Sequence, residues 1–403
     1  MKKYVFLTPS IGDMGGAQMY VANKIKYLRN CGWEVDVFYS LPFSVLLISE
    51  LEKFKDNMII DMQYACHYIP QKRLKKTIDY MASIVGSFDT IIIETQLVGL
   101  VGWGELLARE LRAKHFVNFL EEKIDFSLSP LADYMEFKLK RREMLNASEN
   151  ILRRGFGSQF KEEFKELTHQ QHFVCSNVVD FSDEAPVVLS NADFNILSIG
   201  RLDKPYIPTF ISEIASFAES HSGKSINLIM IGGSNSGEME TTIPLTLKKQ
   251  KNIRVTMLGH TYPIPIGIIK KADVGVASAN SILVTAEQGI PTICIDMKDF
   301  DSIGIYGYTT LKKFHEASKD KKSISSALED VLINKTYLKN KPLLPETLDA
   351  NIIFGKEIGY IESNINSNEY YDVYRMYSIE IRLYSMFKRF IHETFKFYRY
   401  RRG

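Results

Sequence analysis

The chain has 403 residues, more than one ordinary hydrophobic core accommodates, and 45% of them are hydrophobic, enough apolar material for two globular domains. Lys and Arg number 50 against 48 Asp and Glu, a formal charge of +2, so net charge gives no reason to expect a nucleic-acid partner and any basic patch has to be local. Cys31, Cys66, Cys175 and Cys294 lie far apart without a C-x-x-C, which fits reduced thiols in a cytoplasmic protein, and Met1-Lys2-Lys3 leads into Tyr4 with neither a signal-peptide core nor, later, a run long enough to span a bilayer.

Tyr4-Val5-Phe6-Leu7 predicts a first strand. A loop from Thr8 to Ala17 follows, and Ala17, Tyr20, Val21, Ile25 and Leu28 then recur at helical spacing. Gly32 ends that helix, and Val35, Val37 and Phe38 make the next strand, a βαβ opening. Gly15 and Gly16 would let the backbone approach a phosphate or sugar, although a tight turn without a ligand is the plainer reading. The spacing is not the dinucleotide G-x-G-x-x-G and no acidic residue closes the second strand, which argues against an oxidoreductase. Phe88 to Glu94 reads as a buried parallel strand, and His115 to Leu120 as another, followed by Glu121-Glu122 and a helical segment over 134–150. In open α/β sheets the carboxyl ends of strands face the ligand, so Glu94 and Glu121 are candidate bases or acceptor ligands, with solvated loop residues as the alternative. His115 begins its strand and is the weaker candidate. His169-Gln170-Gln171-His172 lacks the Glu of a zinc peptidase and reads as a surface feature.

A polar, proline-containing link, Ser182 to Asp193, sets a domain boundary at 185/186. Beyond it, the strand Ile196–Ile199 runs into the turn Gly200-Arg201-Leu202-Asp203-Lys204 and a helix with Phe210, Ile211, Ile214, Phe217 and Ala218 on one face. Leu228–Ile231 ends in Gly232-Gly233, and Ile253–Leu258 ends in Gly259-His260; this alternation implies a parallel sheet. Ala272 to Ile293 carries the strongest signal. A short β-branched run meets Ser278, Asn280 and Ser281, residues that favour a turn and a helix N-cap; Gly289 and Pro291 close the helix after about two turns, and a strand resumes at Thr292. A strand end leading into a helix start turns free N–H groups toward an anion, and a diphosphate is expected there. From Tyr371 to Arg402, Met376, Ile379, Leu383, Phe387, Phe390, Ile391 and Tyr398 share one helical arc. Arg375, Arg382, Arg389 and Lys396 line one side of it, Lys388 and Arg399 the other. That layout suits a helix lying on an anionic membrane surface, the alternative being a helix packed across both domains. The expected domains are 1–185, 186–365 and a basic aromatic tail, 366–403.

Several stretches, in order, resemble motifs of the glycogen-synthase-like GT-B glycosyltransferases. Gly15-Gly16-Ala17-Gln18 with Gly32-Trp33-Glu34-Val35 is similar to the family's opening loop and G-H-E-V strand, Asn177-Val178-Val179-Asp180 to its N-G-V-D hinge, and Gly200-Arg201-Leu202 to its G-R-L strand end. Ala272-Asp273-Val274 with Ser278, and Gly289-Ile290-Pro291, are similar to its A-D-V strand and serine and its G-x-P. The resemblance covers most of residues 1–300. It implies an α/β GT-B fold, two Rossmann-like domains facing a central cleft, here with a C-terminal amphipathic helix. It also implies transfer of a sugar from a nucleotide-diphosphate donor to a saccharide or lipid-linked saccharide acceptor in bacterial surface polysaccharide synthesis, with no cofactor beyond the donor as substrate. The charge balance points to no nucleic acid, no metal is expected, and the tail suits a protein of the cytoplasm, peripheral on the inner face of its membrane. Arg201 and Lys204 would neutralise the leaving diphosphate, Ser278, Asn280 and Ser281 would add donors, and Gly15 and Gly16 would close from the other domain.

The family's glutamate pair is missing. Its positions fall near Ala277 and at Val284; Glu287, three residues on, shares a helix face with Val284 and is a candidate donor ligand, with an exposed helix glutamate as the alternative. Asp299-Phe300-Asp301 has the D-x-D spacing of the other large glycosyltransferase fold, but it follows a late strand with no neighbouring His and reads as a loop. An inverting reaction needs a base such as Glu121 or Glu94, while a retaining one can use the departing phosphate, so the stereochemistry stays open. The missing pair also leaves room for a non-catalytic GT-B binding or scaffolding subunit, or for a nucleotide-sugar 2-epimerase.

Overall fold

The computed structural model describes residues 1–12, 15–43, 45–120, 126, 129–169, 179–184, 186–234, 236–317, 321–343, 349–364 and 369–376. Its contacts divide the chain into two compact units, Met1–Gly12 with Val21–Phe173 and Asp349–Gly403, and Asp13–Tyr20 with Val174–Leu348. The division after Phe173 lies upstream of the expected 185/186. The segment from Asp349 groups with the first unit, whereas the sequence reading ran the second domain to 365.

The first unit's elements are β1 (Lys2–Thr8), α1 (Gly16–Asn30) from Val21 onward, β2 (Trp33–Tyr39), α2 (Ser49–Glu52), α3 (Gln71–Val85), β3 (Thr90–Thr95), α4 (Val101–Leu111), β4 (Lys114–Val117), α5 (Ser129–Lys140) and α6 (Glu149–Phe156). The strands form a parallel sheet in the order β2-β1-β3-β4. Tyr4 to Leu7 and Ile91 to Ile93 are buried, the continuous apolar runs expected of parallel strands covered on both faces. One helix was expected over 134–150; two are found. α5 stops at Lys140, Arg142 takes a left-handed φ of 56°, and α6 restarts after Ser148, whose Oγ accepts the Ile151 N–H. Between them the buried Glu143 is drawn to Lys138 at 2.9 Å and Lys114 at 3.4 Å, which a continuous helix would prevent.

The second unit holds β5 (Phe181–Ser182), β6 (Phe194–Ile199), α7 (Ile207–Ser220), β7 (Ile226–Ile231), α8 (Met239–Leu247), β8 (Ile253–Gly259), β9 (Ile264–Pro265), α9 (Ile266–Ile269), β10 (Val274–Ala277), α10 (Ser281–Ala286), β11 (Thr292–Ile295), β12 (Ser302–Ile305) and α11 (Ile324–Leu328). Its main sheet runs β12-β11-β10-β6-β7-β8, parallel except for β12, and β5 pairs with β9. The strand, turn, short helix and strand read from Ala272 onward are β10, α10 and β11, in the expected order.

α12 (Ala350–Ser363) returns to the first unit, where Phe354 lies against Tyr27 and Glu357 pairs with Lys24. Val373 and Met376 then enter that unit's core. Met376, counted on the membrane-facing arc, is therefore a core residue. The remainder of the amphipathic tail, from 377, lies outside the described residues. Among the described residues no helix is long and apolar enough to cross a membrane.

Candidate active site

The carboxyl ends of the second unit's strands bring together residues distant in sequence. β6 ends in Gly200 (φ 141°) and β7 in Gly232 (φ 138°), and a Cβ on Gly232 would stand 2.0 Å from the Gly200 carbonyl oxygen, so only glycine lets these strand ends meet. Three backbone bonds stitch the loops: Gly200 N–H to Ile231 O at 2.9 Å, Leu202 N–H to Gly233 O at 3.0 Å and Gly232 N–H to Gly259 O at 2.8 Å. The turn so closed folds Lys204 back toward β10. Its Nζ donates to Ser278 Oγ at 3.3 Å, and a Cβ on Gly200 would be 3.4 Å from both Lys204 Nζ and Ser281 Oγ. Ser278 is fully buried, and the buried Tyr206 ring lies 5.7 Å from the ammonium. Arg201 is half exposed, with its Nε 3.6 Å from Asp203, a weak surface pair that leaves the guanidinium able to reorient.

The turn into α10 is strained. Ala279 takes φ 56°, a left-handed conformation that costs free energy for a residue with a Cβ, and its N–H is held by the Lys313 carbonyl at 2.8 Å. Lys313 Nζ donates to Asn280 Oδ1 at 3.2 Å, and Asn280, the N-cap residue, makes no side-chain cap bond. Glu287 sits exposed at the far end of α10; partial burial raises its carboxyl, with Lys313 opposing. Ala277 and Val284, where the resemblance puts glutamates, are buried apolar residues. The sheet edge thus offers Arg201, Lys204 and Lys313 with serine hydroxyls, while Asp203 is paired to Arg201 and Glu287 lies peripherally, a set suited to an anionic ligand. Lys313 escaped the sequence reading because nothing local marks it; it arrives from a loop beyond β12.

The first unit revises one candidate and leaves another aside. Glu94 ends β3 as expected, but it is fully buried: Lys24 Nζ and Tyr4 OH both donate to it at 2.6 Å, and Asn118 Nδ2 at 3.0 Å. An ion-paired carboxylate without solvent access is neither a base nor an acceptor ligand, so Glu94 leaves the catalytic set. Strand polarity was legible; the cover supplied by α1 and α12 was not. Glu121 lies outside the described residues. Gly15 and Gly16, expected to close from the other domain, stand at the start of α1 in the stretch Asp13–Tyr20 that groups with the second unit, Gly15 accepting the Met19 N–H at 3.0 Å. His115 is buried, its Nδ1 2.8 Å from Glu105 and its Nε2 2.9 Å from Thr95. His169, expected on the surface, is largely covered and its ring lies 4.6 Å from that of Tyr360; His172 lies outside the described residues. Asp299 pairs with Lys321 in a loop where Phe300 takes φ 70°, as the loop reading required. Among the described residues no three His, Cys, Asp or Glu side chains gather as a metal site.

No family model and no curated protein matches the chain. Solved structures do. A glycosyltransferase from Rickettsia africae is 14% identical, with 91% of this chain and 99% of that one covered at a TM-score of 0.56. TarM from S. aureus, in a complex containing UDP, is 11% identical over 91% and 100% of the two chains, at 0.55. HepE from Anabaena, in complex with UDP-glucose, is 13% identical over 93% and 96%, at 0.53. Two α/β units, a second sheet with glycine turns at its carboxyl edge, and the likeness along nearly the full length of these enzymes together show that the chain has the GT-B glycosyltransferase fold.

Proposed function

We propose that the chain is a glycosyltransferase that moves a sugar from a nucleoside-diphosphate donor to a saccharide or lipid-linked saccharide acceptor in bacterial surface polysaccharide synthesis. The observation that carries this reading is the cluster of Gly200, Lys204, Ser278 and Ser281 across the ends of β6 and β10, where a cation and hydroxyl donors converge on space kept open by glycine. Charge growing on a leaving phosphate is stabilised by donors already in place, which is what this cluster supplies. Solved structures of similar fold support the class of donor: HepE binds UDP-glucose, and the pneumococcal O-GlcNAc transferase GtfA, 9% identical at a TM-score of 0.52, was solved with UDP and GlcNAc. In this reading Arg201, Asn280 and Glu287 complete the donor site with Gly15 and Gly16, and Glu121 is the proposed base or acceptor ligand. The nucleotide sugar is a substrate, and the reaction as proposed uses no cofactor. The setting we propose is cytoplasmic, with the basic tail from 377 holding the enzyme against an anionic membrane where a lipid-linked acceptor resides.

A thermal-shift screen of UDP-, GDP-, ADP-, CDP- and dTDP-sugars, followed by assay of nucleoside diphosphate release, tests the reading. Stabilisation by one donor class with turnover is expected. Binding without release of the diphosphate favours the scaffolding alternative, and no stabilisation by any donor overturns the proposal.

A further inference from the structure

The segment after β12 comes back to the same sheet edge. Besides the bond from Ala279 to Lys313, the Phe314 carbonyl accepts the Met297 N–H at 2.9 Å, so residues 313–316 lie between the ends of β10 and β11. His315 stands in the middle of this insert. Its Nδ1 is 2.8 and 3.0 Å from the two oxygens of Asp296, the residue directly after β11. Asp296 has no exposed surface and also receives Lys321 Nζ at 2.6 Å and the N–H groups of Lys298 at 2.8 Å and Glu316 at 3.0 Å. Burial alone would raise this carboxyl, but Lys321, those two N–H groups and His315 outweigh it and hold it well below the ordinary carboxylate range. A permanent carboxylate at Nδ1 fixes that nitrogen as the donor and turns Nε2 outward. The imidazole is 42% exposed, and Nε2 makes no hydrogen bond among the described residues.

Along the edge, the features stand in sheet order. Gly233, where a Cβ would meet the His260 ring at 2.3 Å, marks β7 and β8; Lys204 and Ser278 mark β6 and β10; Lys313 and His315 mark the gap between β10 and β11. A diphosphate seated at Lys204 and Ser278 has both a cation, Lys313, and an imidazole, His315, on its β11 flank, against the His260 imidazole on its β7–β8 flank. We propose that His315 Nε2 is a further ligand of the donor, contacting the terminal phosphate of the nucleoside diphosphate, and that Asp296 is the positioning residue that aims it. The inference rests on the donor reading above and adds to it the direction in which the phosphates run.

The test uses the full chain and calorimetric titration with UDP, GDP, ADP, CDP and dTDP, followed by the mono- and diphosphate of whichever nucleotide binds. His315→Ala should weaken the diphosphate about tenfold, the loss of one charge-assisted contact, and the monophosphate less than about twofold. His315→Gln, which keeps a neutral donor, should fall between. A role confined to pinning the loop would lower both affinities alike. Equal losses for the two nucleotides, or no loss, overturn the inference and leave the donor site standing; failure of all five diphosphates to bind the unaltered chain overturns both.

Discussion

Lys204 is held against Ser278, whereas the half-exposed Arg201 is tethered only to a neighbouring aspartate at 3.6 Å. A cation fixed before the ligand arrives contributes to ground-state binding; one that can reorient is free to follow charge as it builds on the leaving group. Lys204→Ala is therefore expected to weaken nucleoside-diphosphate binding about tenfold, and Arg201→Ala to lower kcat at least about tenfold with a smaller change in affinity. Titration and steady-state kinetics on both variants decide it, and the reverse pattern would exchange the two roles. A second residue-level consequence concerns pH. Burial, with the Lys138 charge adding to it, pushes the His115 imidazole down. Glu105 beside it would be raised by burial, but the Lys138 charge and the His115 contact win and hold it well below its usual value. Both folded-state values lie under the unfolded ones, so on acidification the unfolded chain takes up protons that the folded chain refuses. Stability should be fully present above the ordinary imidazole range, decline as pH falls through it, and decline again through the carboxylate range. Urea unfolding between pH 8 and pH 4 measures this, and His115→Gln should flatten the first decline. A midpoint independent of pH across that range would refute the assignment.

At the scale of elements, the unit β10-α10-β11 was legible because every signal in it is local: β-branched residues, small polar residues at the turn, then Gly289 and Pro291. Glu94 was half legible. The alternation of strands and helices put it at a carboxyl edge, but an amphipathic helix does not announce its partner, so neither the cover from α12 nor the Lys24 contact was visible in the spacing. Lys313 and His315 were invisible for a related reason, being placed by backbone bonds from a loop whose only local feature is its polarity. The docking of α12 is nevertheless strongly specified. Lys24 is fully buried and pairs with both Glu94 and Glu357. Lys24→Met would leave two buried carboxylates without their cation, and a destabilisation of roughly 3–5 kcal/mol is expected in urea melts. A loss under about 1 kcal/mol would mean that water replaces the ammonium and that α12 is held by its apolar contacts alone.

For the whole molecule, the C-terminal region divides at Met376. Val373 and Met376 belong to a core; beyond them lies the basic aromatic stretch proposed to meet a membrane. Deleting 377–403 should leave the melting temperature close to that of the full chain while abolishing co-sedimentation with anionic vesicles. Cutting after Asn368 also removes Val373 and Met376 from the core and should lower the melting temperature by several degrees. A full-length chain that ignores anionic vesicles at low salt would dismiss the membrane role.

The return of α12 also bears on how the protein is made. The first unit is interrupted in sequence, begun by the earliest residues and finished by 349–376, while nearly all of the second unit is one uninterrupted stretch between them. A growing chain emerging from the ribosome can complete the inner unit while the outer one still lacks Glu357, Val373 and Met376, so the part translated first is the part that matures last.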